Sequence, residues 1–130
     1  MDWVFEFPRS PHDVTVTARG PALATEFNQL FEALCADKRF EPGMLILLDL
    51  RKVNLDRVPQ MELGKVSDAL ANLREKCEGC ALAIVATEPL AASMLRAADF
   101  GGHANWMSVW VACTLDEAAT WLESQLALRA

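Results

Sequence analysis

The chain opens with large apolar residues at every second position, the period-2 pattern of a β-strand. Trp3, Phe5 and Phe7 fall on one side of this segment. A second alternation covers residues 14–18, and the prolines and short polar residues of 8–13 between the two segments are typical of a turn. The pattern therefore predicts an antiparallel hairpin at the amino terminus.

A helical period follows from Thr25, because apolar residues recur there at positions three and four apart. The predicted stripe consists of Phe27, Leu30, Phe31, Leu34 and Cys35. After the breakers Pro42 and Gly43, residues 44–50 form an apolar run interrupted only by Asp49. A short apolar run of this kind predicts a strand buried on both faces, as in parallel sheets.

The remainder of the chain repeats the alternation of helix and strand. We predict helices from Pro59 to the residues before Gly79 and from Thr87 to Gly101, with strands at 81–86 and 107–113. Thr114, Leu115, Asp116 and Glu117 form a capping box that starts a last helix, whose apolar stripe is Ala118, Trp121, Leu122 and Leu126.

This order of elements predicts a single α/β domain over residues 1–130. Four helices would flank a mostly parallel sheet of about five strands, and the first hairpin would supply an antiparallel edge. The chain has 130 residues, of which 52% are hydrophobic and 23% charged, a composition that suits one globular domain rather than a disordered chain.

The net charge of −6 has the wrong sign for neutralising a phosphate backbone, so no nucleic-acid partner is expected. The amino-terminal residues do not resemble a signal peptide, and no apolar run reaches the length of a membrane span. We therefore expect a cytoplasmic protein. Its four cysteines lie in or beside apolar segments and are expected to be buried and reduced: Cys35, Cys77, Cys80 and Cys113.

Three segments together resemble the SpoIIAA-like (STAS-like) proteins: residues 45–53, residues 83–86 and the capped helix start from Asp116 to Leu122. The last of these, with the pattern Asp-Glu-Ala-x-x-Trp-Leu, is the most specific. The resemblance covers nearly the whole chain and implies a sheet of about five strands with four helices. For the broader fold it implies two uses, as anti-sigma-factor antagonists switched by phosphorylation and as CRAL/TRIO domains that hold lipids.

The phosphorylation switch is not supported by the residues at its place. In the antagonists the acceptor hydroxyl follows an aspartate at the start of the helix after the central strand. Asp56 matches that aspartate, but Arg57 and Val58 stand where the hydroxyls would be, and Ser67 falls well inside the predicted helix. The resemblance leaves one regulatory alternative, in which the loop with Asp56 and Arg57 docks a protein partner without the usual phospho-acceptor serine.

The helix predicted over residues 90–100 suggests a different use. It is rich in small residues, has only two charges, and is followed by Gly101 and Gly102, which could act as a hinge. The resemblance implies binding of a small apolar ligand or lipid, and peripheral membrane contact, through a mobile helix. The residues predicted to hold the ligand are Met94, Leu95, Phe100, Trp106 and Trp110. In the alternative, this helix packs on the sheet or on a second copy in a homodimer.

Trp110 and Trp121 should pack together, one from the last strand and one from the last helix, as core or as the lining of a pocket. Asp49, Arg51 and Asp56 lie at a strand end, where α/β sheets often bind ligands, but local hydrogen bonds explain Asp49 and Arg51 equally well.

Candidate catalytic chemistry is weak. Cys77 and Cys80 close a predicted helix, whereas a reactive thiol pair would open one, and His103 has no nucleophile beside it in the sequence. No metal-ligand spacing occurs. The sequence therefore predicts a non-enzymatic binding protein with no catalytic residues, no metal and no cofactor.

Overall fold

The computed structural model describes residues 1–7, 13–21, 24–54, 79–86 and 108–129. Five strands and two helices lie within these ranges. They are β1 (Asp2–Glu6), β2 (Val14–Pro21), α1 (Ala24–Ala36), β3 (Leu45–Asn54), β4 (Ala81–Val85), β5 (Ser108–Ala112) and α2 (Leu115–Arg129). The helices predicted over 59–78 and 87–101 lie outside the described residues.

The strands form one mixed sheet in the order β1-β2-β3-β4-β5. β1 pairs with β2 in the antiparallel sense, and β2, β3, β4 and β5 pair successively in the parallel sense. The predicted α/β class with five strands and an antiparallel hairpin at one edge is therefore confirmed. Of the four predicted helices, two are among the described elements.

The two faces of the sheet carry separate apolar clusters. On one face, Leu30, Phe31 and Leu34 of α1 pack with alternate residues of the strands, such as Val16 and Ile84. We call this the α1 face. Alternate side chains of a strand point to opposite faces, so the intervening residues lie on the other side, which we call the α2 face.

The α2 face is built from smaller side chains. Ala118 and Leu122 of α2 are fully buried and cluster with six sheet residues, namely Leu45, Leu47, Ala81, Ala83, Val85 and Ala112. Alanine at three of these strand positions allows the helix axis to approach the sheet closely. The prediction that β3 is buried on both faces is confirmed, because Leu45 to Leu48 are all buried.

β3 continues to Asn54, four residues beyond the predicted apolar strand. The pairing with β2 shifts there: Thr17 faces Asp49, but Arg19 faces Lys52, so β3 carries one extra residue between the two pairs. An extra residue of this kind is a β-bulge, which bends and twists the strand. Beyond the bulge only Val53 is buried, because this end of β3 pairs with β2 alone and has one face in the core.

Two glycines shape the turns before the parallel strands β3 and β4. Gly43 and Gly79 both have positive φ angles, of 87° and 78°, a region that side chains with a Cβ rarely occupy. A Cβ at Gly79 would lie 3.6 Å from the Cα of Gly43, so the two turns are neighbours. The breakers identified in the sequence therefore mark the entries to adjacent strands.

Candidate functional site

The most distinctive surface of the described residues is an indole pair where β5 meets α2. The rings of Trp110 and Trp121 lie 6.1 Å apart between centroids and 17° from parallel. Trp110 pairs in register with Ala83 of β4 and alternates with Val111, which packs toward the α1 face. The sequence prediction that the two tryptophans pack together is confirmed.

Trp110 is not a core residue, because 48% of its surface is exposed. The reason is strand order: β5 is the last strand of the described sheet, so Trp110 has a strand neighbour on one side only. Trp121 is half-buried and packs against the cluster of the α2 face. The expectation that Trp110 fills the core is therefore wrong, and an aromatic surface is presented at the sheet edge instead.

This aromatic surface forms part of an open groove of about 470 Å³. We call it the Trp110–Trp121 groove, and its described lining also includes Asp116, Glu117 and Thr120. Glu117 and Trp121 are four residues apart on α2, as are Asp116 and Thr120, and such pairs share a helix face. The groove therefore combines a stacked aromatic pair with two carboxylates and a hydroxyl.

The start of α2 holds these groups in place. The Thr114 Oγ1 accepts a hydrogen bond from the Glu117 backbone N–H at 3.1 Å, and the Ala118 N–H donates to the Thr114 carbonyl at 3.2 Å. Glu117 Oε2 accepts from the Cys113 N–H at 3.4 Å. This is the predicted capping box, except that the return bond reaches one residue before the cap.

Asp116, Glu117 and Thr120 were not predicted from the sequence to line a groove. Helix capping accounted for Glu117, and Asp116 has its place in the same capping box. The missing signal was the four-residue spacing between Glu117 and Trp121, which puts a carboxylate beside an aromatic side chain on one helix face. The spacing indicates a groove only when Trp110 is known to be exposed.

The other predicted ligand residues, Met94, Leu95, Phe100 and Trp106, lie outside the described residues, as do the hinge Gly101 and Gly102. The docking pair Asp56 and Arg57 is outside them too, and so are His103 and Cys77. These assignments stay predictions. The described end of β3 contributes exposed basic side chains just before that docking loop in the sequence, Arg51 and Lys52, and Lys52 lies opposite the exposed Arg19.

Asp49 and Arg51 form a local ion pair at the bulge of β3. Asp49 Oδ1 accepts from the Arg51 backbone N–H at 3.1 Å and from its Nε at 3.0 Å, and Oδ2 accepts from Nη2 at 2.9 Å. The carboxylate thus satisfies a backbone donor at the irregular position as well as the guanidinium. Of the two explanations open for this pair, local hydrogen bonding is the one that the contacts support.

The pair also sets the acidity of Asp49. Burial raises the pKa of the Asp49 carboxyl, but the hydrogen bonds from the side chain and backbone of Arg51 lower it by more, and the pKa lies below its ordinary value. A carboxyl with a lowered pKa stabilises the fold above its unfolded-state pKa, and this contribution is lost as the pH falls through the folded-state pKa.

We expect Arg51→Met to raise the pKa of Asp49, because burial then acts without the opposing guanidinium. Acid destabilisation should accordingly begin at a higher pH, and carboxyl ¹³C shifts followed through a pH titration would measure the change. Arg39→Met is the matched control: Asp37 accepts the same set of bonds from Arg39, which hold its pKa at about 2. That variant should raise the pKa of Asp37 and leave Asp49 unchanged. An unchanged Asp49 in Arg51→Met would contradict the assignment.

The described cysteines differ in environment. Cys80 is buried and Cys35 half-buried, but Cys113 is exposed, because β5 ends at Ala112 and Cys113 lies in the turn before α2. The expectation of burial is therefore wrong for Cys113. No disulfide joins any two of these three described cysteines.

None of the described helices is both long and apolar enough to span a membrane. Within the same ranges, no three His, Cys, Asp or Glu side chains converge as metal ligands would.

Comparison with known proteins gives one informative match. No family model matches the chain, and no curated protein matches it. A solved structure from Shewanella loihica PV-4, an uncharacterized protein from the DUF3478 family with a SpoIIAA-like fold, is similar with a TM-score of 0.56 and 15% sequence identity. The match covers 93% of this chain and 92% of that one. At this identity the likeness shows the fold alone, and the fold of the chain is SpoIIAA-like.

Proposed function

We propose that this protein is a non-enzymatic binding protein that holds a small ligand with a flat apolar body in the Trp110–Trp121 groove. The observation that carries the proposal is the exposure of Trp110, which is 48% accessible while stacked on Trp121. An aromatic ring offers a large apolar area at low entropic cost, and ligand sites commonly combine such rings with a few polar groups.

The fixed geometry of the pair supports binding. Trp121 is anchored beside the buried Ala118 and Leu122, and Trp110 is held by the pairing of β5 with β4. A ligand that lies on these rings therefore does not need to order them first, which reduces the entropic cost of binding. The groove is open, so a ligand can enter it from solvent without movement of the described elements.

A titration with the neutral apolar dye N-phenyl-1-naphthylamine tests this function. We expect Trp110→Ala to weaken binding at least tenfold, because it removes the exposed half of the aromatic surface. Leu128→Ala is the control, since Leu128 is 80% exposed on α2 but does not line the groove. It should bind the dye within twofold of the wild type.

A measurement on the unmodified chain makes the test independent of any variant. Added dye should shift the indole N–H resonances of Trp110 and Trp121 in ¹⁵N-HSQC spectra and leave that of Trp3, which packs on the α1 face, in place. Equal affinity in Trp110→Ala, or indole shifts confined to Trp3, would remove the proposal. Native mass spectrometry of protein purified gently from its own cells would then weigh any ligand that copurifies.

A further inference from the structure

The Trp110–Trp121 groove carries a charge as well as an aromatic surface. Of the five described residues that line it, Asp116 and Glu117 are acidic and none is basic. Within the described residues, ion pairs join Glu26, Asp37 and Asp49 to their partners, and neither groove carboxylate takes part in one. The charges of the two groove carboxylates are therefore not neutralised by an ion pair with any described side chain.

The sequence of α2 adds to this imbalance. Besides these two residues it contains Glu123, and its basic residue, Arg129, stands at the opposite end of the helix. The chain as a whole has a net charge of −6. Any field that the described groove residues exert on a ligand is thus attractive for cations and repulsive for anions.

Helix stability explains in part why acidic residues stand at positions 116 and 117. Acidic residues in a first helical turn interact favourably with the helix dipole, and Glu117 also accepts the Cys113 N–H. Neither role requires an aromatic pair on the same surface, and neither requires Trp110 to be exposed. The combination of an indole face with adjacent carboxylates is the arrangement that recognises organic cations, since the ring quadrupole and the carboxylates attract the same charge.

Resting on the function proposed above, we propose that the Trp110–Trp121 groove selects ligands that join a flat apolar body to an ammonium group. The apolar body lies on the indole of Trp110, and the ammonium group faces Asp116 and Glu117. With its ammonium group near two carboxylates at the protein surface, such a ligand should bind about tenfold more tightly than its uncharged analogue.

Three probes with one naphthyl body separate charge from shape. They are (1-naphthylmethyl)trimethylammonium, 1-naphthylmethanol and 1-naphthaleneacetate. We expect the cation to bind the wild type about tenfold more tightly than the alcohol, with the carboxylate weakest. The preference should fall as salt is raised, because exposed charges are screened.

The double variant Asp116→Asn/Glu117→Gln tests the assignment to the groove. Glutamine keeps an oxygen that accepts the Cys113 N–H, so the helix start is preserved while both charges are lost. We expect the cation and the alcohol to bind this variant within twofold of each other. Glu123→Gln removes a charge from an exposed position of the same helix outside the groove and should keep the tenfold preference.

Each result decides between the two proposals. If all three probes bind equally and Trp110→Ala weakens all of them, the groove binds ligands but charge selection is refuted. If the cation is still preferred in the double variant, the preference comes from the overall charge of the chain and the inference falls. If none of the probes binds the wild type, the proposed function falls with it.

Discussion

Leu122→Ala is expected to lower the free energy of unfolding by about 3 kcal/mol, the largest effect among the substitutions considered. Leu122 is fully buried between α2 and the sheet, within the cluster that includes Leu45 and Val85. Removing its branched end leaves a cavity that the alanines around it are too small to fill, and Leu→Ala changes in rigid cores cost about 2–5 kcal/mol.

Urea unfolding followed by far-UV circular dichroism measures this loss, because the midpoint falls with stability when the slope is unchanged. Leu128→Ala provides the control within the same helix. Since Leu128 is 80% exposed, its truncation should change stability by no more than about 0.5 kcal/mol. A Leu122→Ala variant as stable as the Leu128→Ala variant would show that α2 does not pack on the sheet as described.

Ala118→Leu is expected to destabilise the protein by about 2 kcal/mol for the opposite reason. Ala118 is fully buried and lies on the same face of α2 as Leu122, where small residues let the helix lie close to β4. A larger side chain must push the helix outward or adopt a strained rotamer, and such overpacking costs about 1–3 kcal/mol.

This variant has a second readout that a simple loss of stability would not give. Displacement of α2 moves Trp121 relative to Trp110, so the near-UV circular dichroism of the stacked indoles should change under conditions where the protein is still folded. Ala127→Leu, at an exposed position of the same helix, should leave both the spectrum and the urea midpoint close to those of the wild type. An unaltered indole spectrum in Ala118→Leu would contradict the close packing of the helix.

The hydrophobic pattern of the sequence was sufficient to predict the class of fold. Burial alternates along β1 and β2, and the start of β3 is buried on both faces, as their patterns indicate. The pattern was less reliable at element ends. The predicted strand was the apolar run of residues 44–50, yet β3 continues to Asn54. Its last residues pair with β2 alone, and only Val53 among them is buried. Pairing with β2 determines how far β3 extends, and this pairing cannot be predicted from the local sequence.

The predicted stripe of α2 fails at one end for a geometric reason. Successive positions four apart rotate by about 40° around a helix, so Leu126 lies about 80° from Ala118. Ala118 and Leu122 face the sheet, whereas Leu126 has turned away and is half-exposed. Two residues that are four apart therefore share a helix face, whereas the third residue in such a series has rotated away from that face.

The candidate site was predictable in part. The pairing of Trp110 with Trp121 follows from their places on consecutive elements, but the exposure of Trp110 depends on the position of β5 at the end of the described sheet. Strand order is a long-range property that residue patterns do not encode directly. The groove carboxylates were missed for the same reason, since they became groove residues only when the adjacent indole was found to be exposed.

The position of α2 in the chain affects how the protein emerges from the ribosome. Five of the six sheet residues of the α2 face have been synthesised once β4 is finished. Ala112 of β5 follows later, and the described helix that covers the face begins only at Leu115. Nascent chains grow at about 5–20 residues per second, so several seconds pass between the synthesis of β4 and that of α2. During this time the apolar residues of the face are prone to non-native association. Folding of this half of the domain is therefore coupled to the synthesis of α2, and translational pausing before Leu115 would lengthen the vulnerable period.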